Sequence, residues 1–307
     1  MSEPLIIVLF LLFVGAVLTV DLGVFHRKDH FPTLKESLVW SAVWIAFAML
    51  FNLFVYYRFG QTHALQYLTG YVVEEALSVD NLFVFILIFS YFAVSAEHQY
   101  RVLFWGILSA IVLRAFFIIV GAALVSRFTW ILYFFGAFLV YTAVKLAIQE
   151  EEEKIEPEKN PFVKFARKLL PMTPNYEGSK FFIRVNNKIH MTPLFLVLVV
   201  VESTDLAFAT DSIPAIFAIT RNPFIIFTSN IFAILGLRSL YFVLANFMKQ
   251  FRFLKVGLSV VLGFIGIKML IEHFIDIPIS ASLLTICGIL TVSVLASIFI
   301  PEKKEKT

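Results

Sequence analysis

Two stretches, VVEEALSVDNLFVF at 72–85 and VVESTDLAFATDSIP at 200–214, place acidic side chains inside long apolar runs. Each surrounding run is long enough to cross a bilayer as a helix. A charged side chain at membrane depth costs at least about 2.5–3.5 kcal/mol, so it marks a functional position by default. The two stretches therefore predict a polar interior shared by two membrane helices.

The composition supports a membrane protein. Of 307 residues, 60% are hydrophobic and 15% are charged, and 36 are Phe. Soluble domains average about 45–50% apolar and about 25% charged residues, so most of this excess must face lipid. Nucleic-acid-binding proteins, disulfide scaffolds and disordered regulators are excluded on these grounds. Cys287 is the single cysteine, so the chain cannot form an internal disulfide or a thiol pair.

Nine apolar runs are long enough to span a membrane, and they predict an all-α, polytopic membrane protein. The first run lacks a preceding basic segment and a cleavage site, so we expect a retained helix and not a signal peptide. The runs are 4–25, 38–57, 67–92, 100–125, 128–148, 192–220, 223–248, 253–274 and 278–300.

The basic residues predict the orientation of the chain. Lys and Arg accumulate in alternate connections and most densely in 149–191, whereas the opposite connections carry only Arg58, Arg127 and Arg221. Since basic residues favour the cytoplasmic side, the amino terminus is expected outside and the carboxyl terminus inside.

Charged residues also reveal an internal repeat. Three charges recur in the same order, at nearly one offset, across two blocks of three helices: Asp80 with Asp205, Arg114 with Arg238, and Lys145 with Lys268. Because the first helices of the two blocks enter from opposite sides, the blocks are predicted to be inverted repeats. Inverted repeats are typical of transporters, with the site near the midplane where they meet.

The repeats divide the chain into five parts. Two amino-terminal membrane helices occupy 1–66, and the first three-helix repeat occupies 67–148. A cytoplasmic loop at 149–191 leads to the second repeat at 192–274. The last membrane helix and a basic tail fill 275–307.

The loop carries two predicted elements. PFVKFARKLLP at 161–171 has apolar and basic faces typical of a short helix on an anionic membrane surface. FFIRVNNKIHM at 181–191 predicts a hairpin that turns at Asn186-Asn187. No phosphate-binding glycine loop is present, so ATP-driven pumping by this chain is not expected.

The acidic stretches predict a cation site. Their oxygen donors, without Cys, His or Met, favour Mg, Ca or Mn over Cu(I) or a tight Zn site. The candidate ligands are Glu74, Asp80, Asn81, Glu202, Asp205 and Asp211, and the supporting residues are Ser78, Thr204, Ser212, Arg114 and Arg238. The alternative is a structural salt-bridge network in which the two arginines neutralise some of the acids.

Helix geometry orders some of these candidates. Glu74, Ser78 and Asn81 share one face of their helix. Asp211 lies off the stripe of Glu202 and Asp205 in an ideal helix. A kink at Pro214 is expected to turn it inward and to free the carbonyl of residue 210.

At these motifs the chain resembles the TerC family of bacterial membrane proteins, in its Alx-like branch. The family pattern of an acid, two residues and L-S/A-V-D-N is met at 74–81, and E-x-S/T-D-x-x-F-A-x-D-S-I-P-A is met at 202–215. The resemblance implies an inner-membrane transporter built from three-helix repeats that exports manganese from the cytoplasm. It also implies an association with tellurite resistance and with redox modulation.

The expected function is that of a secondary transporter which exports Mn2+, with proton antiport as a coupling hypothesis. The chain is not expected to be an enzyme or to hold a cofactor, and its expected partners are lipid and the transported metal ion. One alternative is a redox or tellurite-handling membrane protein. Another is a non-transporting partner that delivers metal and docks through 149–191. The oligomeric state stays open.

Overall fold

The structure is a computed structural model, and it describes residues 3–24, 33–128, 130–148, 160–185, 187–247, 253–275 and 277–299. These residues form ten helices and one two-stranded sheet. In chain order they are α1 (Glu3–Val24), α2 (Leu34–Phe59), α3 (Gln61–Tyr91), α4 (Ala96–Arg127), α5 (Ile131–Ile148), α6 (Pro161–Leu169), β1 (Phe182–Val185), β2 (Lys188–Met191), α7 (Pro193–Phe217), α8 (Pro223–Phe247), α9 (Leu254–Ile271) and α10 (Ile279–Phe299).

The chain divides into two units, Met1–Thr33 and Leu34–Thr307. The first unit is described through α1, which carries the apolar stretch Val8–Val17. All other elements belong to the second unit.

Seven described helices are long and apolar enough to cross a membrane, namely α2, α4, α5, α7, α8, α9 and α10. The expectation of an all-helical, multi-pass membrane protein is therefore confirmed. Helix α3 is not among the seven because three carboxylates interrupt its apolar half, at Glu74, Glu75 and Asp80. The count of nine spanning helices stays a prediction.

Helix α8 lies at the centre of the second unit, because 83% of the residues in its most apolar stretch are buried. It packs along α3 and also contacts α2 and α4, while α4 packs against α7 and α3 packs against α7. The first predicted repeat contains α3, α4 and α5, and the second contains α7, α8 and α9. The contact of α3 with α8 and the contact of α7 with α4 are therefore equivalent, because each joins the first helix of one repeat to the second helix of the other. The packing thus accommodates the predicted inverted repeat, which itself stays a prediction.

Helices α5 and α9 form a close crossing through two glycines. A Cβ atom on Gly136 would lie 3.1 Å from the carbonyl oxygen of Gly266, and one on Gly266 would lie 2.8 Å from the carbonyl oxygen of Gly136. Small residues allow helix backbones to approach closely in membranes. No larger side chain fits between these two backbones without moving them.

The segment before α7 contains the short helix and the hairpin that the sequence predicts. Helix α6 packs against α7. Strands β1 and β2 are antiparallel, with Val185 opposite Lys188. Asn187 adopts the left-handed conformation at φ 62°, whereas Asn186 lies outside the described residues.

Candidate functional site

The guanidinium of Arg114 lies where four helices meet. Arg114 is on α4, and its side chain is 1% exposed. Its Nη1 donates to Glu74 Oε1 on α3 and, at 2.6 Å, to Asn230 Oδ1 on α8. Its Nη2 lies 3.7 Å from Asp205 Oδ1 on α7. The two acidic stretches are therefore brought together at one permanent cation.

The charges of this cluster do not balance when both acids are ionised. Arginine keeps its proton in proteins, so the guanidinium contributes one positive charge at every physiological pH. Glu74 and Asp205 then contribute two negative charges, so the cluster carries a net charge of minus one. Arg114 and its partners thus form a site that favours additional positive charge.

Several buried polar atoms of α3 and α7 lack a hydrogen-bond partner within the described part of the chain. They include Asp205 Oδ2, both carboxylate oxygens of Glu202, and the hydroxyls of Ser78 and Ser212. A buried polar group without a partner costs about 1–3 kcal/mol, more when it is charged. These oxygens can therefore contact water or an ion.

A small cavity lies among α3, α4, α7 and α8. Glu202 and Asp205 supply its polar lining, and Phe85, Gly106, Ala110 and Leu237 contribute to the rest. The Glu202 carboxylate lies close to α4 at Gly106, where a Cβ would be in ordinary contact with Glu202 Oε1 at 3.5 Å. The cavity therefore joins Asp205, which faces Arg114, to a second acid one helical turn away.

Glu75 belongs to a different environment from its neighbour Glu74. Its Oε1 accepts a hydrogen bond of 2.8 Å from the Tyr71 hydroxyl on the same helix. The same oxygen faces α8 at Gly236, where a Cβ would lie 3.5 Å away. Two adjacent acids on α3 thus have separate partners, which makes Glu75 a matched control for Glu74.

Asp211 is directed at α5. Its Oδ1 accepts a hydrogen bond of 3.1 Å from Thr142 Oγ1. Helix α7 continues through Pro214 to Phe217. The hydrogen bond thus places Asp211 against α5, and the kink at Pro214 stays a prediction.

The other candidates have these positions. Asn81 is buried and Asp80 is half-buried on α3. The Thr204 hydroxyl donates to the carbonyl of Val201 on its own helix, at 2.7 Å. The Arg238 guanidinium lies over the Tyr100 ring, 4.3 Å from its centroid, in a cation–π contact.

Within the described residues, no group of three or more His, Cys, Asp or Glu side chains is positioned to hold a metal ion. The contacts join Glu74 to Asp205 through Arg114 and place Glu202 beside Asp205 in the cavity, while Asp211 contacts Thr142 on α5. The six-residue ligand set thus stays a prediction.

Two polar partners in the structure are not among the candidates expected from the sequence. Asn230, which accepts from Arg114, is fully buried on α8, and Thr142 binds Asp211 from α5. A signal for Asn230 was available, because Thr228, Ser229 and Asn230 interrupt an otherwise apolar helix and are all fully buried.

Comparison with known proteins gives a family and close relatives. The model of the family described as "Integral membrane protein TerC family" matches residues 59–305. The chain is 51% identical over 289 residues to "Uncharacterized membrane protein STKORF319" of Myxococcus xanthus, covering 94% of this chain and 90% of that protein. It is 46% identical over 306 residues to "Putative membrane-bound redox modulator Alx" of Escherichia coli (strain K12), covering 97% and 95%. An "Uncharacterized membrane protein" of Rickettsia felis is 42% identical over 291 residues, covering 95% and 96%. No solved structure matches the chain.

Proposed function

Because the chain belongs to the TerC family of integral membrane proteins, we propose that it is a secondary transporter which exports Mn2+ from the bacterial cytoplasm. The cargo is a hard divalent cation, and the transport site is the cluster around Arg114 with its adjoining cavity. The chain acts as a carrier and not as an enzyme.

One observation carries this proposal. A guanidinium is held between carboxylates from two different helices, Glu74 on α3 and Asp205 on α7. The place between these acids therefore stabilises positive charge in a protein region that is shielded from water. Ionisable groups at membrane depth that face the bundle interior usually mark an ion pathway.

The donor atoms favour a hard divalent ion. Carboxylates of Glu74, Glu202 and Asp205, with the amide oxygen of Asn230 and the hydroxyl of Ser78, supply oxygen alone. Oxygen ligands suit Mg, Ca and Mn better than metals that prefer sulfur or imidazole. Neither 72–85 nor 200–214 contains Cys, His or Met. Manganese in particular is taken from the family resemblance.

Export of a dication needs a source of energy. Moving two charges outward against 100 mV, negative inside, costs about 4.6 kcal/mol. Inward movement of protons could supply this energy, because crowded carboxylates in a low dielectric bind protons when the cation leaves. We therefore include proton antiport in the proposal.

The test is metal flux through the full chain in proteoliposomes that contain a metal-sensitive dye. Wild-type protein should move Mn2+, and Mg2+, Ca2+, Fe2+ and Zn2+ measured in parallel establish its selectivity. Glu74→Gln and Asp205→Asn should abolish flux, because each removes a carboxylate that faces the cation position. Glu75→Gln should keep wild-type flux, since its partner is Tyr71.

Two outcomes would contradict the proposal in different ways. Wild-type flux in both Glu74→Gln and Asp205→Asn would show that the cluster around Arg114 is not the transport site. An absence of any metal flux in wild type would contradict the transport function itself. Flux that ignores an imposed pH gradient would reject proton coupling alone and would leave export intact.

The name of the Escherichia coli relative favours a second candidate function, redox modulation. The single cysteine Cys287 cannot form a dithiol within the chain, so redox chemistry would need a bound group. Absorption spectra of the purified protein in oxidised and reduced states test this candidate. A reducible flavin, haem or quinone in stoichiometric amount would favour it over transport.

A further inference from the structure

Helix α6 is fixed to the protein along one face. Val163 is fully buried and Ala166 is buried, and the helix packs against α7. At about 100° per residue these two positions lie on one side of the helix. The remaining sides of α6 are open.

The second face of α6 is apolar and exposed. Phe162 is 47% exposed, and Phe165 and Leu169 are each 63% exposed. Their spacing of three and seven residues places them on one side of the helix. Exposed apolar side chains that share one face indicate contact with a membrane or with another protein.

The third face of α6 is basic. Lys164, Arg167 and Lys168 are all exposed, and the helix contains no acidic residue. Lys180, Arg184 and Lys188, in the segment that follows, are exposed as well. An apolar face flanked by basic residues is complementary to lipid acyl chains below anionic headgroups.

The first residue before α6 links this helix to α7. Asn160 Oδ1 caps α6 by accepting from the backbone N–H of Phe162 at 2.9 Å, and Asn160 Nδ2 donates to Ser203 Oγ at 2.6 Å. Ser203 lies ten residues into α7, which at 1.5 Å per residue is about 15 Å along that helix. Helix α6 thus starts alongside a membrane helix and not beyond its end.

We propose that α6 is a membrane-surface anchor that binds anionic phospholipid. Phe162, Phe165 and Leu169 enter the acyl boundary, and Lys164, Arg167 and Lys168 contact headgroup phosphates. Lipid is the partner favoured over an acidic protein because α6 lies beside a membrane helix of an integral membrane protein. Through Asn160 the anchor also fixes α7 at Ser203, the residue after Glu202.

The experiment measures where one side chain of α6 lies. Cys287→Ser removes the native thiol, and Phe165→Cys then carries an environment-sensitive nitrobenzoxadiazole label in the full chain. Vesicles of pure phosphatidylcholine are compared with vesicles that also contain phosphatidylglycerol. A label at Glu177→Cys, exposed in the same segment, is the matched control.

Phosphatidylglycerol should shift the emission of the label at 165 to the blue and allow quenching by spin-labelled lipid, without changing the control. Three basic side chains near an anionic surface should favour the bound state by about a hundredfold. Lys164→Gln, Arg167→Gln and Lys168→Gln together should remove the difference between the two vesicles. Added salt should weaken it, because it screens surface charge.

A label at 165 that aqueous iodide quenches equally in both vesicles would overturn the proposal. A label buried equally in both would overturn it too, because the charge of the lipid would then have no effect. Burial that appears only when an acidic protein is added would identify a different partner. None of these readouts depends on metal flux, so a failure here is separate from a failure of the transport proposal.

Discussion

The Glu74→Gln substitution leaves the Arg114 guanidinium with Asp205, at 3.7 Å, as the carboxylate that faces it. With an effective dielectric constant of about 20, the attraction at that distance is about 4–5 kcal/mol. The lost partner is nearly fully buried, and removing one member of a buried pair typically costs about 3–5 kcal/mol. We expect Glu74→Gln to lower the free energy of unfolding by that amount, and Arg114→Met to have an effect of similar size.

The double variant Glu74→Gln/Arg114→Met should lose less than the sum of the two single variants. Both charges of the direct pair are then absent, so neither is left buried without its partner. Coupling energies between contacting residues reach about 3 kcal/mol, and we expect a value of about 2–3 kcal/mol here. Denaturation in detergent micelles, followed by tryptophan fluorescence, measures all four proteins.

Glu75→Gln provides the control for this cycle, because glutamine can still accept a hydrogen bond from Tyr71. Its effect should stay within about 1 kcal/mol. Strict additivity of the two single effects would refute the reasoning, since it would mean that Arg114 and Glu74 do not stabilise each other. A Glu75→Gln effect as large as that of Glu74→Gln would refute it as well.

Three further predictions follow from other contacts. Mn2+ should raise the melting temperature of Arg114→Met more than that of wild type, because a bound dication replaces the lost guanidinium. At a hundredfold excess of Mn2+ over the dissociation constant, the gain in stability is about 2.7 kcal/mol. Equal shifts of the two melting temperatures would contradict this prediction. Gly266→Ala should destabilise the fold by about 1–3 kcal/mol, since its Cβ would lie 2.8 Å from the carbonyl oxygen of Gly136. Gly263→Ala is the control and should be tolerated in the same melts, because its Cβ would lie 3.6 Å from the nearest atom. Asn160→Ala should cost about 1 kcal/mol through loss of the α6 cap, measured in the same melts, and a melting temperature equal to that of wild type would argue against the cap.

Much of the helical architecture was predictable, because membrane spans, the amphipathic helix α6 and the hairpin each have a local signature. Apolar length predicts a span, and alternating apolar and basic faces predict a surface helix. These features depend on residues close together in the chain. The carboxylates of α3 lower its apolar character, and their cost at membrane depth made them visible as candidates.

The pairing of charges between helices was less predictable. Matching charges in order aligns Asp80 with Asp205, but equivalent positions in two repeats need not touch. In the structure Glu74 and Asp205 meet at one guanidinium. Which side chains meet depends on helix rotation, and apolar runs without a clear polar stripe leave that rotation undetermined.

The position of Asp211 shows a related difficulty. Ideal helix geometry puts it off the stripe of Glu202 and Asp205, whereas a kink at Pro214 would turn it inward. The hydrogen bond from Thr142 shows that Asp211 meets α5. Proline removes a backbone donor wherever it occurs, but neighbouring helices decide whether the axis bends. That decision depends on packing partners far away in the sequence.

The direct contact of Gly136 with Gly266 restricts how this protein can change shape. Sliding or rolling of these helices would carry neighbouring side chains, such as Val140 and Leu270, into a space that only glycine fits. Helices α5 and α9 are therefore expected to move as one body. If the proposed transporter rocks, we expect the motion at the boundaries where α3, α4, α7 and α8 meet through side chains.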